Sequence, residues 1–159
     1  MKPQFETRVE IDRQSHQVRL ERRFAAAPDA VFRALTDARL IPRWWGPARL
    51  ETRVEANEMR HGGRWRYIQR EASGQEFAFR GVVHLVEPPR LLINTFEFEG
   101  APGRVVLQIA SLTPLEGGTL FSQQAVFAAA GDLSGMVDSG MEAGERESLE
   151  RLAQLLGSG

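Results

Sequence analysis

Few residues in this chain combine a reactive type with a telling position, and Glu145 leads them. At about 100° per residue on a helix, Met141 and Leu149 fall about 40° either side of it, and Leu152 and Leu156 about 20° either side. A carboxylate therefore stands near the middle of an apolar stripe. Burying it unpaired costs several kcal/mol, so it must be paired, protonated or facing a wet cavity. Three arrangements satisfy that demand. An arginine or the Tyr67 hydroxyl holds it; or it meets a polar ligand group, or acts as an acid/base, inside a cavity; or a shift of the helix frees it to solvent.

Other chemistry is sparse. His16, His61 and His84 lack metal-ligand spacing, and no metal site or cofactor is expected. His61 falls in a turn, and His84 shares the parity of Arg80, on the outer face. There is no cysteine, hence no disulfide and no thiolate ligand. Gly62-Gly63 and Gly117-Gly118 read as turns, since a phosphate loop would need a following helix, and no nucleophile elbow is present.

The aromatic residues form a second set. Trp65 and Tyr67, Phe77 and Phe79, and Phe96 and Phe98 each stand two apart in extended segments, so each pair points to one face. Val83, Leu85, Leu107 and Ile109 join that face by parity. Two readings stay open: a packed core, or a cavity lined for a planar or apolar ligand. On the opposite parity, Arg64, Arg66 and Arg80 meet Glu97 and Glu99 as a cross-strand charge ladder or as a partner-binding patch. Trp44-Trp45-Gly46-Pro47 is an exposed knob or a cap on the cavity mouth. One tryptophan belongs in the core, and Trp44 is the candidate partner-binding residue.

Elements must position these groups. Phe5 to Ile11 and Val18 to Phe24 alternate as a hairpin turned at Asp12 to Ser15. Ala27-Pro28-Asp29 opens a helix through Leu35, and a second short helix is predicted over Ala38 to Trp45. Period-two alternation then runs from Arg49 to Phe127 with short turns, the pattern of an antiparallel meander. Parity in the last strand is ambiguous, with Phe121 and Phe127 on one face and Leu120 and Val126 on the other. Asp132 to Leu156 is helical, and Gly135, Gly140 and Gly144 predict a kink before Met141.

The fold class is α+β: a curved antiparallel sheet wrapping a long C-terminal helix, with two short helices after the first strands. Residues 1–17 are an N-terminal strand or extension of one domain that occupies 18–159. The 159 residues are 42% hydrophobic and 26% charged, ordinary for a globular chain. A net charge of −1 argues against a nucleic-acid binder that works by neutralising phosphates. No apolar run approaches the ~18 residues of a membrane span, so no membrane insertion is expected. The opening MKPQFETRVE has no apolar signal region, and the cytoplasm is the expected location.

Phe24-Ala25-Ala26-Ala27-Pro28, Val31-Phe32, Thr36-Asp37, Trp44-Trp45-Gly46-Pro47, Gly62-Gly63-Arg64-Trp65-Arg66, Gly81, Glu87-Pro88-Pro89-Arg90-Leu91 and the run Thr95 to Gly100 carry a resemblance. Together with Gly140-Met141-Glu142, Leu149 and Leu152, they resemble the activator of heat-shock-protein-90 ATPase homologue family. That family lies within the SRPBCC, START-like superfamily. The resemblance runs from about Val18 to Leu156 and implies the helix-grip fold. Where many members carry Gly-Trp, this chain has Gly144-Glu145. Activity is implied less narrowly, because the superfamily holds lipid carriers, cyclases and co-chaperone domains.

The leading expectation is a binder of a small, largely apolar molecule: a lipid, polyketide or aromatic metabolite. Its cavity would be lined by Trp65, Tyr67, Phe79, Val83, Phe96, Phe98, Leu107, Met141, Glu145 and Leu149. The rivals are a cyclase/dehydratase-like enzyme with Glu145 as its candidate catalytic group, and an interaction module for a chaperone partner. Monomer and homodimer are both open, the edge strand Phe5 to Ile11 offering a pairing surface.

Overall fold

The computed structural model describes residues 5–157. The chain begins with β1 (Arg8–Asp12) and β2 (Gln17–Phe24). Their turn is set by Asp12, whose Oδ1 accepts the backbone N–H groups of Gln14 at 3.0 Å and Ser15 at 3.2 Å. Helix α1 (Pro28–Thr36) starts with proline in its first turn, where a missing N–H costs nothing, and with Asp29 against its positive end.

The second helix expected over 38–45 is only a single 3-10 turn, Ile41–Arg43. So few residues lie between the Asp37 turn and Gly46, at φ +79°, that an α-helix has no room to nucleate. Trp44, the candidate for an exposed partner contact, is instead core. It is 8% exposed, and its indole N–H donates to the Ala34 carbonyl at 2.8 Å. A ring that large, with its one polar atom satisfied, is worth more inside than outside.

Six strands follow: β3 (Glu51–Asn57), β4 (Arg64–Arg70), β5 (Glu76–Glu87), β6 (Leu91–Phe98), β7 (Val106–Leu115) and β8 (Gly118–Phe127). All pair antiparallel in the order β1-β2-β8-β7-β6-β5-β4-β3. The segment holding α1 therefore carries the chain from one side of the sheet to the far edge. Helices α2 (Ala130–Asp138) and α3 (Met141–Leu155) return across the concave face. They part at Ser139-Gly140, where Gly140 adopts φ +88°, the break its glycines predict. This is the helix-grip architecture.

Parity holds on most strands and fails on two. On β7 the buried residues are Val106, Ala110 and Leu112. Leu107, expected in the cavity, therefore faces out at 37% exposed, and Ile109 shares its side. Both even and odd positions of β7 carry apolar side chains, so alternation alone could not choose. On β5 the pairing shifts between Val83 and Leu85, and both Val83 and Val86 pack inward, which turns Leu85 away from the expected face. On β8 the buried positions are Thr119, Phe121 and Phe127, which settles that strand's facing.

The outer face carries the charge ladder. Arg66 grips Glu99 with both arms (Nε–Oε2 2.6 Å, Nη2–Oε1 3.0 Å) and also meets Glu55, and Arg80 Nε lies 3.0 Å from Glu97 Oε1. The Gly103 N–H, and after it Arg80, holds Glu97 below the usual carboxylate range, and Arg66 does the same for Glu99.

Candidate functional site

Two packed clusters fill the concave side. One joins α1, Trp44, Trp65, Tyr67, Val83 and the second half of α3; the other joins Val18, Leu20, Val106, Phe127 and Leu133. Phe96 packs against both. Between sheet, α3 and the Trp44–Leu50 loop lies a cavity of about 350 Å³, within the range of small-molecule sites and far beyond the needs of a few waters.

Its aromatic wall is held in place by specific bonds. The Trp65 indole N–H donates to the Thr95 carbonyl at 3.0 Å, reaching across Gly81. A Cβ on Gly81 would stand 1.8 Å from that carbonyl oxygen and 2.5 Å from the indole nitrogen, so only glycine leaves the path open. The Tyr67 hydroxyl donates to Asn57 Oδ1 at 2.9 Å, and Asn57 Nδ2 donates to the Thr36 carbonyl at 2.8 Å. Burial raises the phenol above its ordinary value and keeps it neutral. Trp45 stands edge-on to Tyr67 at 5.2 Å and to Phe79 at 5.3 Å.

Helix α3 fixes the Trp45 loop in turn. Ser148 Oγ accepts the Gly46 N–H at 2.9 Å, Glu147 accepts the Ala48 N–H at 2.7 Å, and Arg151 donates to the carbonyls of Gly46 and Arg43. One turn of α3 thus holds the loop that brings Trp45 to the same cavity as Glu145.

Glu145 lines the cavity one turn after Met141 and one before Leu149. Its carboxyl has no hydrogen-bond or ion-pair partner among the described residues, and the Tyr67 hydroxyl is engaged elsewhere. The residue is partly buried and lines the cavity. Loss of hydration pushes its pKa up to about 7.

Trp65, Tyr67, Phe79, Phe96, Met141, Glu145 and Leu149 share this cavity. Three other candidates do not. Leu107 faces outward, as above. Val83 is wholly buried, but its side chain is enclosed in the packed cluster. Phe98 lies a step farther along β6 than Phe96, with its ring against Phe79 at 5.2 Å and Phe77 at 6.5 Å.

A family model for activator of Hsp90 ATPase homologue 1-like protein matches residues 25–157. The chain belongs to that family. A Rhodobacter sphaeroides protein solved by crystallography is similar at 26% identity, covering 96% of this chain and 99% of its own, with a TM-score of 0.88. An Arthrobacter aurescens protein solved by NMR is similar at 26% identity over 96% and 92%, with a TM-score of 0.89. A third relative in fold, DynU16 from the dynemicin biosynthetic locus, has 21% identity over 90% and 48%, with a TM-score of 0.67. No curated protein matches the sequence. Among the described residues no helix is long and apolar enough to cross a membrane, and no acidic, histidine or cysteine group is arranged to hold a metal ion.

Within this member of the Hsp90-activator-like family, sequence reasoning passed over a polar patch. Asn94, Gln108 and Gln123 line the cavity from β6, β7 and β8, and none of their side-chain amides has a hydrogen-bond partner among the described residues. Asn94 and Gln108 are cross-strand partners. The signal was available: each shares the parity of buried neighbours, Leu92, Ala110 and Phe121 respectively. Met59, Met136 and Met141 also line the cavity. Gly144 does too, with no atom within 4 Å of where its Cβ would stand.

Proposed function

We propose that this chain binds a small, largely apolar molecule with one polar end in the cavity between sheet and α3. The observation that carries this reading is Glu145: a carboxyl without a protein partner, opening on an aromatic-lined space of about 350 Å³. A protein that needed only a packed core gains nothing by keeping both a void and an unpaired carboxyl, each of which lowers stability. The three unbonded amides support the same reading, since they offer donors and acceptors toward the ligand's polar end.

Acid/base chemistry would need a second convergent group, and the Tyr67 hydroxyl is already bonded to Asn57. Binding is therefore favoured over catalysis. An interaction with a chaperone partner would have to use a surface other than Trp44.

The test uses naphthalenemethanol as a neutral probe, followed by quenching of tryptophan fluorescence, since Trp44, Trp45 and Trp65 all line the cavity. The native protein is expected to bind it saturably. Gly144→Leu projects from a Cβ position with open space around it into the cavity and gains up to ~1 kcal/mol of helix propensity. It is expected to stay folded and lose the probe. Unchanged binding by that variant overturns the proposal, as does failure of the native protein to bind both this probe and its charged analogues of the same shape.

A further inference from the structure

The charge balance inside the cavity says what kind of polar end it takes. Three titratable side chains line it: Glu145, Tyr67 and Arg49. Arg49 lies at the mouth, 72% exposed, with Nη1 3.8 Å from Glu71 Oε1. Tyr67 is neutral, and its hydroxyl donates a hydrogen bond to Asn57 Oδ1. On α3 itself, Glu142 and Arg146 pair with each other at 3.5 Å, Glu147 accepts the Ala48 N–H, and Arg151 holds the Trp45 loop. From β6, β7 and β8 come only the neutral amides of Asn94, Gln108 and Gln123. Inside the mouth, one acidic group therefore has no counter-charge.

We infer that the ligand is cationic: a planar, mostly apolar body bearing a protonated amine that sets its ammonium against the Glu145 carboxylate. The inference rests on the binding reading above and narrows it to one ligand class. Four features agree. An ammonium has donors and no acceptor, which suits a carboxylate together with three amide oxygens that nothing else uses. Trp45, Trp65, Tyr67, Phe79 and Phe96 line the same cavity, and an aromatic lining favours cations over anions. An anionic ligand would meet Glu145 as a like charge in a poorly hydrated space. A neutral ligand would leave the ionised carboxylate without a counter-ion, the costly arrangement already present in the empty protein.

The burial that raises the Glu145 pKa gives the idea a second readout. The ammonium pairs only with the ionised carboxylate, so proton and ligand compete. Below a free-protein pKa of about 7, amine affinity must fall as the carboxyl protonates.

The experiment compares three probes of one shape: naphthylmethylamine, naphthalenemethanol and naphthoic acid, titrated into the full chain by calorimetry and tryptophan quenching. The amine is expected to bind about tenfold more tightly than the alcohol at about pH 8, to lose about tenfold by about pH 6 while still protonated itself, and the acid to bind most weakly. Glu145→Gln, checked for folding by circular dichroism and its urea transition, is expected to abolish both the preference for the amine over the alcohol and the pH dependence of amine binding. An alcohol or acid that binds as tightly as the amine, or amine affinity that stays flat with pH, overturns the inference and leaves the binding reading standing. If none of the three binds, both fall.

Discussion

In the unfolded chain the Glu145 carboxyl titrates near 4.5, and in the folded protein at about 7. Between those values the folded state keeps a proton that the unfolded state has released. The contribution of this one group to stability is therefore fully present below about 4.5 and is lost as pH rises through about 7. The full shift corresponds to roughly 3 kcal/mol, less whatever cavity water screens. Urea unfolding of the native chain and of Glu145→Gln across this range is expected to show the two diverging, with the glutamine variant more stable above neutrality. Parallel curves would place the carboxyl in ordinary solvent. Position 145 was readable from helical phase alone, because a lone acid among Met141, Leu149, Leu152 and Leu156 is conspicuous. Arg22 was not. It shares the parity of Val18, Leu20 and Phe24 and is 3% exposed, with Nη1 3.0 Å from Glu150 Oε2, Nε without a partner and its guanidinium 5.7 Å from the Phe24 ring centroid. A long basic side chain amid Arg19 and Arg23 reads as surface, and only the packing of α3 over it shows otherwise.

At the scale of elements, the concave wall depends on one close approach. Gly81→Ala drives a methyl into the Thr95 carbonyl and the Trp65 indole nitrogen. Both belong to neighbouring strands that cannot yield far, so the variant is expected to lose about 1–3 kcal/mol in a denaturant titration and to shift Trp65 emission. A variant as stable as the native chain would show that the strands separate more easily than their bonding suggests. The meander, its turns and the break at Gly140 were legible because glycine, proline and Asx punctuation has local causes. What stayed hidden has non-local ones. The β5 bulge arises where Gly62 and Gly63 exchange backbone bonds with Val83, a partnership set by a distant loop. The β7 face was read the wrong way round because Leu107 and Ile109 are the more hydrophobic pair, yet the structure buries Val106 and Ala110. The amides were missed because glutamine and asparagine default to solvent in any pattern argument, and only the assembled wall turns them inward.

Over the whole molecule, packing is uneven. The cluster under α1 and the second half of α3 is dense, whereas α2 buries only Leu133 and adjoins the hollow through Met136. Local opening should follow that gradient. Amide exchange is expected to be fastest in α2 and slowest in β7 and β8, and naphthylmethylamine is expected to slow α2 selectively. Uniform exchange would mean that the hollow does not weaken its cover. One property of this wall has practical reach. The chain has four methionines, and the three after Met1 lie on the cavity surface. Isotope labelling of methionine methyl groups would thus place three resonances at the frontier between guest and host, giving an unmutated protein a built-in spectroscopic view of its own occupancy.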